Sequence, residues 1–399
     1  MLHADAALIA AHDDGPSPPR RLEHAGLAAV FGVAATLQFS IAAAQTLLAI
    51  AIACWLALVV WRRERIEVPR FFWPLAVFAA LTFVSAAFSP QPRVSFADTK
   101  QLLLFLIVPL TYRFLRGNRG ITLTTVIVSV GAASAVFGIF QYGILHYDHL
   151  GLRPRGTLGH WMTYSGLLML VIGVALARVL FGRRDRTWAA LVMPALAVAV
   201  ALTFTRSAWV GACAAAALLL ALKDFRLLAI LPIVAAAFFA VAPAAITARF
   251  LSIFDRNNLT NRDRVAMLRE GEHMIRARPL VGVGPNMVEV LYADYRDPDA
   301  VQQINPHLHN VPVQIAAERG LPALAAWIWF VAVALTDLAR LFQRGQHRML
   351  AAAALAAMVA MLAAGMFEYN FGDSEFLMLL LLLVTLPFAA ARSPADALP

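Results

Sequence analysis

Twelve apolar stretches, each close to the length a helix needs to cross a bilayer, fill most of this 399-residue chain. They run over 22–38, 41–61, 71–88, 98–115, 121–145, 158–181, 187–205, 207–223, 227–247, 321–340, 349–369 and 376–391. Lipid cannot satisfy backbone N–H and C=O groups, so such stretches are predicted to be helices, which bond to themselves. With 61% hydrophobic and 14% charged residues and a mean hydropathy of +0.70, a soluble fold would expose large apolar patches. The expected class is therefore an all-α integral membrane protein of about twelve spans. The division of 22–61 at Gln38–Ser40 is the softest boundary. Arg20 and Arg21 lead directly into the first apolar run, which reads as an anchor rather than a cleavable leader.

The cations are sorted by side. With the N-terminus inside, the even-numbered connections and both tails hold 19 of the 33 Lys and Arg residues, and the short outer loops hold five. Those five are Arg93, Lys100, Arg153, Arg155 and Arg206. The other nine lie in one long outer segment beside nine acids. Cytoplasmic loops of membrane proteins collect Lys and Arg, whereas long translocated segments escape that rule. The net charge of +9 is thus an insertion signal rather than a nucleic-acid footprint. The expected organisation is a cytoplasmic tail (1–21), nine spans (22–247), a large periplasmic loop (248–320), three spans (321–391) and a second tail (392–399).

Several chemistries have no support. Cys54 and Cys213 fall inside apolar runs, without disulfide or zinc spacing. There is no Walker A sequence and no Rossmann glycine fingerprint, so no cofactor is expected. No internal repeat of the kind found in many transporters is visible.

The long loop exceeds what a connector needs. Thr260 with Asp263 three residues later forms a possible capping box, which predicts a helix from near 261 to near Pro279. Arg262 and Arg264 then occupy its first turns, where the helix is already positive. Cations there suit a bound anion such as phosphate, unless Asp263 neutralises them. The Gly282-Val283-Gly284-Pro285 turn either offers N–H groups to phosphate or simply ends a helix.

The sharpest cluster is Asn305-Pro306-His307-Leu308-His309-Asn310, followed by Gln314, Glu318 and Gly320. Asn310 can cap a helix with Pro312 in its first turn. His309 would then sit at a helix N-terminus, which favours a neutral imidazole able to take a proton. The His-x-His pair could instead bind metal, but no acid or cysteine lies at diagnostic spacing, so no metal is expected. Arg206, in Thr205-Arg206-Ser207, is the one charge between two apolar runs; it is either a snorkelling interfacial residue or functional. The connection between spans five and six supplies Arg153, Arg155 and His160, and the last outer loop supplies Glu368, Tyr369, Asn370, Asp373 and Glu375. Those acids could bind a sugar, pair with the arginines or only mark the water interface.

His309-Asn310 with Gly320 ten residues later, Thr205-Arg206-Ser207 before a span, and Arg264 followed by an apolar helix and the 279–284 turn together resemble the bacterial O-antigen ligases. The layout, with one large loop between spans nine and ten, is similar to the wider O-antigen ligase/polymerase superfamily. The layout covers nearly the whole chain, while the specific motifs cover only 205–211 and 260–320. The resemblance implies an inverting, GT-C-like glycosyltransferase that uses neither metal nor nucleotide. It would move a glycan from undecaprenyl pyrophosphate to lipid A-core at the periplasmic face of the inner membrane. Its implied partners are the lipid-linked donor, the lipid A-core acceptor and membrane lipids, and a monomer is expected. A diphosphate leaving group needs cations, for which Arg206 and Arg264 are suited, and an acceptor hydroxyl needs a base, for which His309 is suited. Arg153, Arg155, Arg262, His307, Asn310 and Gln314 are expected to contact substrate. The motifs separate a ligase poorly from a polymerase or a protein O-oligosaccharyltransferase. A transporter of an anionic or lipidic substrate, the rival from another class, would carry polar residues and broken helices near the bilayer midplane. Here the candidate groups gather at the outer edge.

Overall fold

The computed structural model describes residues 18–255 and 257–392, and the outer parts of both predicted tails, 1–17 and 393–399, lie outside them. The described chain is helical throughout, with one isolated bridge between His149 and Leu152. The first helices are α1 (Pro18–Thr36), α2 (Ile41–Arg62), α3 (Phe72–Ala87) and α4 (Pro92–Asp98). A 3₁₀ segment, Thr99–Leu106, joins α4 to α5 (Ile107–Phe114). Then come α6 (Arg119–Gly143), α7 (Trp161–Phe181), α8 (Arg186–Leu202) and α9 (Arg206–Lys223). A second 3₁₀ turn, Phe225–Ala229, leads into α10 (Ile230–Val241) and α11 (Ala244–Leu251). The long segment holds α12 (Leu259–Ala277) and the single turns α13 (Met287–Val290) and α14 (Tyr292–Tyr295). The chain closes with α15 (Val311–Gln343), α16 (Arg348–Gly365) and α17 (Ser374–Ala390).

Among the described residues, seven helices are long and apolar enough to cross a membrane: α2, the Pro92–Phe114 unit, α6, α7, α9, α15 and α16. Four more apolar helices, α3, α8, the Phe225–Val241 unit and α17, are shorter. The chain is therefore an all-α membrane protein, as its composition predicts. The uncertain division at 38–40 is a helical hairpin: Ser40 caps α2 by accepting from Ala43 N at 3.3 Å, and α1 packs along α2.

Helices α7, α16 and α17 form the centre, and most of their residues are buried. Alanine runs on α16 and leucine runs on α17 fill this core, because without a hydrophobic drive in lipid, helices associate by close van der Waals packing. Several cations of the even connections are paired. Arg113 holds Glu64 at 2.7 Å, and Arg62 holds Glu23 at 3.1 Å. Arg178 is fully buried; it donates to Ile121 O at 2.7 Å and to Thr125 Oγ1 at 2.8 Å, and pairs with Asp185 at 3.1 Å. A buried guanidinium persists only when so compensated.

A second, small core of Met267, Met274, Val283, Met287 and Leu308 packs α12 against the start of α15. The expected capping box is corrected here. The N-cap of α12 is Asn258, whose side chain accepts from Thr260 N at 3.1 Å, and the helix begins at Leu259. Asp263 instead accepts from the N–H groups of Val301 and Gln302 at 2.9 and 3.0 Å. It therefore anchors the returning loop and is not the partner that neutralises Arg262.

Helix α15 breaks at Gly320, where φ is 82° and ψ is 167°. The cause is a competition for carbonyls. Pro322 has no N–H, and Leu321 N turns away to Pro279 O at 2.8 Å, so Ala317 and Glu318 lose their helical donors. Val283 N and Gly284 N take those carbonyls at 2.9 and 2.8 Å. The glycine turn thus spends these N–H groups on α15 rather than on phosphate. Gly320 is required twice: its φ is left-handed, and a Cβ there would lie 2.3 Å from Leu280 O. Gly320→Ala is expected to destabilise the protein by at least about 1–3 kcal/mol from backbone strain alone. The readout is the thermal midpoint of the detergent-solubilised protein; an unchanged midpoint would contradict this account of the break.

Candidate active site

The residue before the α15 cap, His309, has a left-handed φ of 49°. Asn310 then caps the helix, accepting from Val313 N at 3.0 Å, while its Nδ2 donates to Met366 O at 3.0 Å. That second bond ties the start of α15 to the chain leaving α16 and brings Glu368 beside both histidines. Glu368 Oε1 lies 2.9 Å from His309 Nδ1, 3.0 Å from His307 Nε2 and 3.0 Å from Tyr369 N. Leu308 between the histidines is buried in the small core, which turns both imidazoles to one side with ring centroids 4.2 Å apart.

A carboxylate only accepts, so this contact assigns the proton of His309 to Nδ1 and leaves the lone pair on Nε2. Burial lowers the His309 imidazole below its ordinary value and outweighs the pull of Glu368. Burial alone would raise Glu368, but His309 and His307 hold it well below the usual carboxylate range. The result is a neutral, oriented base backed by a fixed carboxylate, the arrangement that general-base catalysis needs.

His309 also lines a cavity of about 640 Å³ whose other walls carry Arg153, Arg206, Arg249, Arg262, Arg264 and Arg269. Arg269 is paired with Asp299 at 2.9 Å. Among the described residues, no acid lies within 4 Å of Arg153, Arg206, Arg249 or Arg262. Three of them bond to neutral carbonyls instead: Arg153 to Leu150 O at 2.9 Å, Arg206 to Ser252 O at 3.1 Å and Arg249 to Phe204 O at 3.3 Å. Arg264 donates to Phe367 O and lies 3.9 Å from Glu368 Oε2, so it spans the base and the cationic wall. Burial and then Arg206 lower Arg153, while burial, Arg153 and Arg264 push Arg249 down to about 10. Guanidiniums that repel one another in a half-buried cavity are poised for a polyanion.

The local fold explains their placement. Phe204, buried at a left-handed φ of 54°, turns the chain sharply before α9. Thr205 makes no side-chain cap bond, so the first N–H groups of α9 add to the positive end. Asn261 donates to the carbonyls of Ser252 and Asp255 at 2.9 and 2.8 Å, fixing the turn after α11 against α12.

Of the sequence-predicted residues, His309, Arg206, Arg264, Arg153 and Arg262 line this one cavity, Arg262 being its most exposed cation among them. His307 joins through Glu368. Three residues expected to contact substrate lie outside the cavity lining. Gln314 is buried and accepts from Leu308 N at 2.6 Å, so it shapes the histidine loop. Asn310 is consumed by its cap and by Met366. Arg155 is exposed, outside the cavity lining, with its guanidinium 5.9 Å above the Tyr147 ring. Sequence reasoning assigned no role to Arg249; its one signal was being the first cation after a long apolar run. It named Glu368 without a role, because the pairing crosses 59 residues.

Glu368 also supplies the acid that the metal argument lacked. His307, His309 and Glu368 offer ligand atoms within 4.8 Å of one another. The 2.9 and 3.0 Å separations are those of hydrogen bonds to a shared oxygen, and that is the role assigned here. Any activity at this site is accordingly expected to survive EDTA; loss on chelation, restored by a divalent ion, would replace the base with a metal centre.

Residues 190–328 match a family model described as O-antigen ligase. The matched range holds Arg206, Arg249, Arg264 and His309, and Glu368 lies beyond it. No curated protein matches the chain.

Proposed function

We propose, from the match of residues 190–328 to the O-antigen ligase family, that the chain is a member of that superfamily and acts as a ligase. It transfers O-antigen glycan from undecaprenyl pyrophosphate to lipid A-core at the periplasmic face of the inner membrane. The observation that supports this most is one cavity with arginines on one wall and a carboxylate-backed histidine on another.

The acceptor hydroxyl gives its proton to His309 Nε2 as its oxygen bonds to the anomeric carbon. The bond from that carbon to the diphosphate oxygen breaks, and its electron pair leaves with the lipid diphosphate. Attack opposite the leaving group inverts the anomeric centre. Arg206, Arg249, Arg264 and Arg153 stabilise the charge that develops on the leaving oxygen, since a guanidinium binds phosphate in a fork and stays charged. Glu368 holds the imidazole and stabilises the imidazolium that forms. The apolar part of the cavity, including Phe254, Val265, Leu268 and Phe367, suits a prenyl chain.

Purified protein mixed with lipid-linked glycan and rough lipopolysaccharide should shift the lipopolysaccharide to higher mass on a gel. No shift with both substrates present would contradict the reading. The compartment has its own test: a phosphatase fused at residue 290 should be active and one at residue 185 inactive, since the short-loop cations sort that way. The reverse pattern would put the cavity in the cytoplasm.

A further inference from the structure

A second cavity of about 270 Å³ lies on the other side of the histidines. His160, Thr163, His307, Glu368, Asn370 and Asp373 provide its polar lining. His307 and Glu368 form part of its wall while His309 lines the first cavity, and Met162 lines both. The partition is thus the base and its carboxylate. The two chambers differ in charge: the first carries six arginines, and the second carries no lysine or arginine.

The second chamber is lined by side chains able to hydrogen-bond a neutral ligand. Glu368 and Asn370 stand in its wall, although the residues are only 8% and 7% exposed. Glu368 Oε2 is 3.9 Å from Arg264, beyond hydrogen-bond reach. Thr163 Oγ1 donates to Asp373 Oδ2 at 2.7 Å and so fixes a carboxyl group at the rim. Tyr369 and Phe376 add aromatic surface to the lining. Fixed acceptors beside aromatic rings suit a ligand with several hydroxyls and an apolar ring face, and the lack of cations disfavours an anion.

We propose that this chamber is the acceptor subsite: it holds the terminal, uncharged sugar of the acceptor, with Asp373 binding its hydroxyls. The inference rests on the transfer reaction proposed above. It accounts for two substrates meeting at one base, with the diphosphate on the arginine side and the nucleophilic hydroxyl arriving from the side of His307. Asp373 and Thr163 then set acceptor affinity, and the arginines set donor affinity.

The test varies each substrate in turn for the wild type, Asp373→Asn and Thr163→Val. Asp373→Asn should raise KM for rough lipopolysaccharide by about tenfold or more, the size expected when a site built for a hydroxyl loses one bond. KM for the lipid-linked donor should stay within about twofold, because its diphosphate is held by other residues. Thr163→Val should shift the acceptor KM in the same direction. Delipidated core oligosaccharide should inhibit the wild type competitively against the acceptor and not against the donor, a readout that needs no variant. An unchanged acceptor KM, a matching rise in donor KM, or inhibition competitive with the donor would each overturn the subsite. Failure of the wild type to transfer at all would instead overturn the reaction on which it rests.

Discussion

Glu368→Gln is expected to cut transfer by on the order of 10²–10⁴, as much as His309→Ala, although no sequence pattern marks it as part of the reaction. The amide keeps the shape but loses the charge that fixes His309 Nδ1–H and stabilises the imidazolium. The two changes remove one device, so the double variant should be scarcely slower than either single one. His307→Ala should cost less, since its ring shares the Glu368 oxygen but lines the second chamber. The pH profile gives an independent sign. The base must be neutral, so activity falls as pH drops through its pKa, which burial already places below the ordinary imidazole value. Glu368 acts to raise that pKa, so its removal should move the acid limb to still lower pH. A limb that stays in place, with near-normal turnover, would remove Glu368 from the mechanism.

The cationic wall carries the second large effect. Arg206→Ala and Arg264→Ala should each lower transfer by about 10²–10³, the usual worth of one group that stabilises a leaving or developing anion. Arg249→Ala should behave alike, because its guanidinium bonds to a carbonyl and sits beside other arginines. Lysine at these positions keeps charge but not the fork and should rescue only in part. Arg262→Ala should be milder, since that side chain is exposed. Each variant is to be read by initial rate and by binding of a fluorescent lipid diphosphate, with thermal midpoints as the folding control. Alanine variants that keep wild-type rates would make these arginines topological or structural.

The parts legible in the sequence were those written in local spacing. Apolar runs gave the helices, and Asn310 with Pro312 gave the start of α15. Arg206 stood out as a lone charge between apolar stretches. What stayed hidden was set by tertiary contact. The cap of α12 went to Asn258 because Asp263 was needed by the backbone of 301–302. Gln314 reads as a binding residue until Leu308 N claims it. Glu368 becomes a partner of His309 only because Asn310 bonds to Met366 O and closes a long loop. The break at Gly320 needs the carbonyl exchange with 279–284, which no single segment encodes.

The central claim is that a hydroxyl activated by His309 displaces a lipid diphosphate held by the arginines. Mass spectrometry of the lipid products tests it most directly. Purified protein is mixed with a lipid-linked glycan and rough lipopolysaccharide in the presence of EDTA. The account predicts lipopolysaccharide heavier by the whole glycan, with one free lipid diphosphate released per transfer, and neither product from His309→Ala. Lipid-linked glycan that doubles in length while the lipopolysaccharide stays unmodified would contradict it and make the protein a polymerase.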